Sequence, residues 1–156
     1  LFTGLDIPGT LDISQTVSPK LYTMHWSIMV EFWGQAMMAN NDLDESLVVG
    51  ALVNLFDIDD AAIASRLVDY GYPAPHESHP IPDARQARRI RQVLADTHGR
   101  GKVTPAMHGY GPIQDFVRRF KIVAESDADG VWVNRYGYLS NAKLDMAGQI
   151  WRDPQR

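Results

Sequence analysis

The sequence predicts an α/β fold with parallel strands, because two consecutive strand-then-helix units can be read at residues 102–125 and 130–151. In the first unit, a short apolar run ends at Gly109 and Gly111, and the next segment carries apolar side chains at helical spacing. In the second unit, an apolar run at residues 131–136 leads to Ser140, a residue type that caps helices. Two parallel strands joined through a helix form a right-handed crossover.

The composition predicts one domain over residues 1–156 and argues against several classes of partner. The net charge of −4 argues against nucleic acid or an anionic membrane as the main partner. The absence of cysteine excludes disulfides, thiolate zinc sites and cysteine nucleophiles. The apolar stretch at residues 21–39 is interrupted by His25, Glu31 and Gln35, so we expect a soluble chain with no transmembrane segment. No signal peptide is visible, the cellular compartment is left open, and we expect no cofactor.

The elements before residue 102 follow from periodicity and turn chemistry. Residues 1–7 are expected to form a strand that runs into the Pro8-Gly9 turn. Residues 21–26 fit either a strand or a helix, whereas residues 27–39 favour a helix. Residues 43–56 predict a helix capped by Asp42 or Asp44, and a shorter helix is expected from Asp59 or Asp60 to about Gly71.

Four prolines in residues 72–83 predict a rigid loop, since proline suits neither a helix interior nor a central strand. Asp83 is expected to cap the next helix. We interpret the arginines of that helix as its solvated face; they are Arg85, Arg88, Arg89 and Arg91.

Ligands of parallel α/β folds bind at the carboxyl ends of the strands, and this rule selects the candidate site. Polar or half-polar residues stand at the two predicted strand ends, namely His108, Tyr110, Asn134, Arg135 and Tyr136. We predict His108 as a catalytic residue and the other four as substrate-binding residues. The alternative is that His108 and Tyr110 hydrogen-bond only to neighbouring backbone.

Two further groups could carry chemistry. His25 and Trp26 are predicted to bind substrate, and Glu31 could act as a catalytic acid whose pKa burial would raise; alternatively the Met and aromatic residues there are core. Asp6 lies at the end of the expected first strand, and this position alone makes it a candidate catalytic carboxylate.

The loop residues His76, Glu77 and His79 are an alternative set of metal ligands. We nevertheless expect no metal, because the surrounding prolines forbid the helix that places histidines one turn apart.

The segment ADGVWVNRYGYLS at residues 128–140, followed by KLDMAG at residues 143–148, resembles the closing strand–helix unit of (β/α)8 barrels related to glycoside hydrolases. The resemblance covers the last third of the chain. It implies the C-terminal part of a TIM-type barrel that binds a sugar, although neither strand ending at His108 or Arg135 offers the carboxylates that glycosidases use.

Three functions are therefore open. The chain could be a carbohydrate-active, glycoside-hydrolase-like barrel segment with a small-molecule or carbohydrate ligand. It could instead be a non-catalytic binding or assembly subunit that pairs with a partner chain or a second copy along open sheet edges. It could also be a metal-dependent hydrolase. A flavodoxin-like three-layer sandwich is the alternative to the barrel.

Overall fold

The computed structural model describes residues 6–39, 41–58 and 64–153. This part of the chain contains six helices and five short strands. In order they are α1 (Ile7–Thr10), β1 (Thr16–Val17), β2 (Lys20–Leu21), α2 (Thr23–Met38), α3 (Glu45–Phe56), α4 (Asp83–Asp96), β3 (Lys102–Val103), β4 (Ala106–His108), α5 (Ile113–Ala124), β5 (Trp132–Asn134) and α6 (Asn141–Arg152). Short 3₁₀ turns cover Leu67–Tyr70 and Tyr136–Tyr138.

The helices of the two C-terminal units form as the sequence predicts, but the strands differ. The single strand expected before Gly109 is divided into β3 and β4, and β5 covers only Trp132–Asn134 of the expected residues 131–136. The helix α5 begins directly after Pro112, and Asp115 lies in its first turn. The helix α6 follows Ser140, whose hydroxyl accepts the backbone N–H of Lys143. The same local rule holds at α3, where the Asp44 carboxylate accepts the backbone N–H of Leu47.

All strand pairs are parallel, which confirms the predicted α/β class. The pair β1–β3 forms one ladder, and the order β2–β4–β5 forms the other. In the second ladder Lys20 pairs with Ala106, which pairs with Trp132, and the next row joins Leu21, Met107 and Val133. Within the described residues these sheets are small and open.

The two faces of the β2–β4–β5 sheet have different surroundings. Leu21 and Met107 are buried against α4, α5 and α6, where their neighbours include Ile90, Phe116 and Ile150. Because side chains alternate across a strand, the preceding row of Lys20, Ala106 and Trp132 points to the opposite face. Trp132 is 65% exposed there. We call this side the open face.

A second part of the core lies between α2, α3 and the turn that follows α3. Its buried side chains include Val30, Val49, Leu52 and Leu67. Gly34 allows the approach of Leu67, because a Cβ at Gly34 would lie 2.1 Å from Cδ2 of Leu67. This glycine therefore lets the Leu67–Tyr70 turn pack directly on α2.

Several local predictions need correction or fall outside the described residues. Residues 1–5 and 59–63 belong to the expected first strand and the expected short helix, and they lie outside the described part. Ile7–Thr10 form a helical turn rather than a strand end, since the Asp6 carboxylate accepts the backbone N–H of Gly9. Leu67–Tyr70, at the end of the expected short helix, form a 3₁₀ turn.

The remaining predictions of this region have mixed outcomes. The residues 27–38 are helical as expected, but α2 starts at Thr23 and the preceding strand has only two residues. The proline-rich loop contains neither helix nor strand. The helix α4 begins at Asp83 with Pro82 at the N-cap, so Asp83 is not the cap.

The arginines of α4 are not uniformly solvated. Arg85 is 6% exposed and forms an ion pair with Asp57, and Arg88 pairs with the same carboxylate. Arg89 donates to the backbone oxygen of Phe56 and lies over the ring of Trp26. Of the four arginines only Arg91 is exposed, as expected for a solvated face.

No helix in the described ranges is both long and apolar enough to cross a lipid bilayer.

Candidate functional site

Six aromatic side chains meet at the carboxyl ends of β2, β4 and β5. Their ring centroids are joined by contacts of 5.1 Å between Tyr22 and His108, 5.5 Å between His108 and Tyr138, and 5.4 Å between Tyr138 and Tyr110. Tyr72 contacts Tyr110 at 5.3 Å and His25 at 6.0 Å, and His25 closes the group with a 5.6 Å contact to Tyr22. We call these residues the ring cluster.

The parallel register explains how distant residues come together here. Leu21 pairs with Met107, so the next residues, Tyr22 and His108, lie side by side. His108 pairs in turn with Asn134. The amide of Asn134 donates to the hydroxyl of Tyr22, which links the two outer strands across His108. Tyr22, His108 and Asn134 are each two residues beyond Lys20, Ala106 and Trp132, so they lie on the same open face of the sheet.

Buried cations hold the loop that carries His108 and Tyr110. The guanidinium of Arg119 donates to the backbone oxygens of His108 (3.0 Å) and Tyr110 (2.7 Å). The Nζ of Lys143 donates to those of Gly109 (2.8 Å), Gly111 (2.7 Å) and Tyr138 (3.1 Å). Four successive carbonyl groups are thus satisfied by two side chains. We call residues 108–111 the strand-end loop.

Glycine is required in this loop for steric reasons. A Cβ at Gly109 would lie 2.9 Å from Cδ2 of Leu139, and Gly111 has a φ of +93°. A Cβ at Gly111 would also lie 3.2 Å from Nε2 of His79. The glycines therefore allow the loop to pack against the turn after β5 and against the proline-rich loop.

Asp115 holds the two arginines and the proline-rich loop next to the strand-end loop. Its carboxylate accepts from Arg119 Nε at 2.7 Å, from Arg118 Nη2 at 2.6 Å and from the backbone N–H of His79 at 3.2 Å. Burial alone would raise the pKa of Asp115, but the charge of Arg119 and the hydrogen bonds from both arginines outweigh it, so its pKa is lowered. Asp115 is an ionised structural anchor rather than a free catalytic acid.

His108 is neutral at pH 7. Its pKa is lowered to about 4, first by burial and then by the nearby charges of Arg119, Arg135 and Lys143 and by His25. Its Nδ1 accepts the backbone N–H of Tyr110 at 3.0 Å, which places the ring proton on Nε2. His108 is therefore suited to donating a hydrogen bond from Nε2 rather than to taking up a proton.

The predicted substrate-binding residues are only partly brought together. His25, Tyr110 and Asn134 join the ring cluster, and Arg135 follows Asn134 at an exposed position with a φ of 67°. Trp26 lies outside the ring cluster and lines a cavity of about 330 Å³ beside β1 and β2, which His25 and Lys20 also line. Tyr136 is 77% exposed, and no ring contact of Tyr136 occurs within the described residues.

The predicted catalytic carboxylates lie outside the ring cluster. Asp6 caps α1, which lies near the amino end of β3: Arg100 donates to the backbone oxygen of Pro8, and Leu11 packs against Gly101. Glu31 accepts from Gln35 on α2 and approaches Gly71, next to Tyr72 of the cluster. No hydrogen bond joins Glu31 to His25 in the described ranges. Glu31 is thus the nearer of the two to the cluster.

The histidine loop does not assemble a metal site in the described part of the chain, where no group of three potential ligands is found. His79 is 2% exposed, and its Nδ1 hydrogen-bonds to the hydroxyl of Thr23 at 2.6 Å. Burial, followed by the charge of Arg119, lowers the pKa of His79 to about 3. His76 and Glu77 are exposed, and Glu77 accepts the backbone N–H of Ala74. The three side chains therefore serve different local roles.

Sequence reasoning missed Tyr22, Tyr72 and Tyr138, and also the two buried cations Arg119 and Lys143. Tyr22 could have been found by the strand-end rule, had β2 been recognised ahead of α2. Lys143 and Arg119 carry no such signal, because a cation on an amphipathic helix ordinarily indicates the solvent side.

Comparison with family models, with curated proteins and with solved structures found no match to this chain.

Proposed function

We propose that the chain is a carbohydrate-binding segment of a (β/α)8 barrel, with the ring cluster as the sugar site. The observation that carries the proposal is the meeting of six aromatic rings at the carboxyl ends of parallel strands. Strand ends of this kind are where (β/α)8 proteins bind their ligands. Aromatic faces provide apolar area at low entropic cost, and tyrosine hydroxyls and Asn134 add polar groups.

The barrel part of the proposal is supported by the open face of the sheet. Purely parallel sheets occur almost only with both faces covered, yet Trp132 on the open face is 65% exposed. The strand order β2–β4–β5 follows the chain without a reversal, as the neighbouring strands of a barrel do. Further strands beyond the described ones would place the ring cluster at the top of a closed interior.

We propose that the described residues bind a sugar, and that hydrolysis of the sugar needs residues from elsewhere. A glycosidase needs two carboxyl groups flanking the scissile bond. Neither β4 nor β5 ends in an Asp or a Glu, and Glu31 is the predicted acid nearest to the cluster. A hydrolytic activity would therefore require a second carboxylate supplied by additional strands.

Tyr138 and Tyr136 provide a matched test, since they lie in the same 3₁₀ turn. Tyr138 contacts His108 and Tyr110, whereas no ring contact of Tyr136 is found among the described residues. In saturation-transfer NMR with neutral and acidic oligosaccharides, we expect Tyr138→Ala to weaken binding by about threefold to tenfold. Tyr136→Ala should bind like the unchanged chain. Equal losses in both variants, or no saturable binding of any oligosaccharide, would overturn the proposal.

A second function is favoured by the same uncovered sheet. The chain could act as an assembly subunit whose open face and outer strands pair with another chain. Native mass spectrometry of the purified chain separates the two proposals. A stable complex in which Trp132 is shielded from chemical modification supports assembly, and a monomer that binds sugar with Trp132 reactive contradicts it.

A further inference from the structure

We propose that the ligand of the ring cluster is an acidic sugar, a uronate whose carboxylate is bound between Lys20 and Arg135. This inference rests on the proposed sugar-binding function and adds the charge of the ligand to it. The two cations are exposed, no described carboxylate forms an ion pair with them, and the histidines of the ring cluster are neutral.

Lys20 lies on β2, and Arg135 directly follows the last residue of β5. The Nζ of Lys20 lies 4.7 Å from the centroid of the Tyr22 ring, two residues earlier on the same face of β2. Arg135 directly follows Asn134, whose amide donates to the hydroxyl of Tyr22. The charges of Lys20 and Arg135 both act on His25 of the ring cluster, and a planar guanidinium together with an ammonium is a suitable pair for a carboxylate.

The part of the chain that the structure describes contains no carboxylate paired with either cation. The ion pairs of the described residues use other basic side chains, among them Arg88 with Asp57, Arg100 with Asp12, and Arg118 and Arg119 with Asp115. Neither Lys20 nor Arg135 has a carboxylate partner in those ranges. The whole chain has a net charge of −4, so two unpaired cations beside one aromatic site are not a consequence of a generally basic surface.

The titration of the two cluster histidines agrees with an excess of positive charge. Burial lowers the pKa of His25, and the charges of Lys20 and Arg135 lower it further. His108 is affected in the same direction by burial and by surrounding cations, with no carboxylate acting on it. Both rings are neutral at pH 7, so they leave the two cations free to select the ligand and can themselves hydrogen-bond to sugar hydroxyls.

Matched acidic and neutral sugars test the inference. We would titrate the chain with oligosaccharides of galacturonate, mannuronate and glucuronate, each against its own methyl ester, and with acetate alone. The expected result is that at least one acid binds about tenfold or more tightly than its ester, and that the preference falls with added salt. Acetate should bind far more weakly, because it cannot contact the rings.

The possible outcomes separate this inference from the proposed function. Equal binding of an acid and its ester would overturn the acidic-sugar inference and leave the sugar site standing. Binding of acetate as tight as that of the uronates would also overturn it, since the site would then recognise a carboxylate without a sugar. No binding of any saccharide would overturn both.

Charge-removing variants locate the carboxylate. Arg135→Asn keeps a residue that tolerates a positive φ, and Lys20→Met keeps a long side chain. We expect each to reduce the acid-over-ester preference about tenfold and to leave binding of the ester unchanged. Lys102→Met is the control, because Lys102 is an exposed cation at the start of β3. A loss of preference in the control as large as in the two variants would contradict the assignment.

NMR titration of the imidazoles provides a readout independent of affinity. A bound carboxylate offsets the positive charges, so the pKa values of His25 and His108 should rise when the acid binds. The ester should leave them unchanged. Unchanged pKa values in the presence of saturating acid would show that the carboxylate is not bound here.

Discussion

The two sides of the strand-end loop use their cations in opposite ways. On the inner side, Arg119 and Lys143 are 2% and 7% exposed, and their hydrogen bonds go to backbone carbonyls and to Asp115. On the outer side, Lys20 and Arg135 are exposed and have no carboxylate partner in the described ranges. The inner cations support the loop, whereas the outer ones are the pair proposed to bind a carboxylate. The same residue types therefore differ in burial and in partners according to their surroundings.

We expect substitution of a buried cation on the inner side to have the largest effect on stability. Arg119→Met removes the more deeply buried of the two arginines paired with the Asp115 carboxylate, and it also removes the donor to the backbone oxygens of His108 and Tyr110. We expect a loss of about 3–5 kcal/mol in the free energy of unfolding, measured by urea denaturation. The exposed Arg91 on α4 offers the control Arg91→Met, which should change stability by less than about 0.5 kcal/mol. Similar losses in the two variants would show that Arg119 does not support the loop.

The buried His79 on the inner side should make the stability of the chain depend on pH. In the folded chain, the pKa of His79 is lowered to about 3, below its usual value of 6.5. Between these values the unfolded chain binds the extra proton, so stability decreases as the pH falls below about 6.5. The contribution of one such histidine is at most about 1.4 kcal/mol per pH unit.

His79→Asn keeps a side chain that can hydrogen-bond to the hydroxyl of Thr23 but cannot titrate. Thermal or urea unfolding at several pH values between 4 and 6.5 should show a smaller slope for this variant than for the unchanged chain. The exposed His76 provides the control His76→Asn, for which the slope should stay the same. A slope unaffected by His79→Asn would contradict the assignment of His79 as a neutral buried residue.

We expect substitution of the exposed cations on the outer side to have the smallest effect on stability. Lys20→Met and Arg135→Asn remove exposed side chains without ion pairs to described residues, so each should change the free energy of unfolding by less than about 0.5 kcal/mol. A loss above 1 kcal/mol in either variant would indicate that the outer cations, like the inner ones, have a structural role.

The fold was predictable where local rules coincide. Pro112, Asp115 and Ser140 mark the starts of α5 and α6, and the apolar spacing between them agrees with those starts. The first part of the chain was less predictable. The strands β1 and β2 have two residues each, too few for the alternation that identifies a strand. For this reason Tyr22 escaped notice, although His108, Tyr110, Asn134 and Arg135 were correctly placed at strand ends.

The roles of charged residues could not be predicted from spacing. Arg85 and Lys143 occupy helix positions that could equally face solvent, and the structure buries both. What decided their burial is the presence of acceptors on other elements, namely Asp57 after α3 and the carbonyls of the strand-end loop. Such acceptors come close only after the chain folds, since they are distant in sequence.

By itself, the sequence determined the parallel α/β class, the C-terminal strand–helix units and the strand-end positions of His108 and Asn134. These depend on local propensity, on capping and on hydrophobic periodicity, which act over a few neighbouring residues. Only the tertiary structure decided that Tyr22, Tyr72 and Tyr138 join those strand ends, and that Arg119 and Lys143 are buried while Lys20 and Arg135 remain exposed. The reason is that register and packing bring together residues far apart in sequence, and the burial of a charge depends on the partners that it finds there.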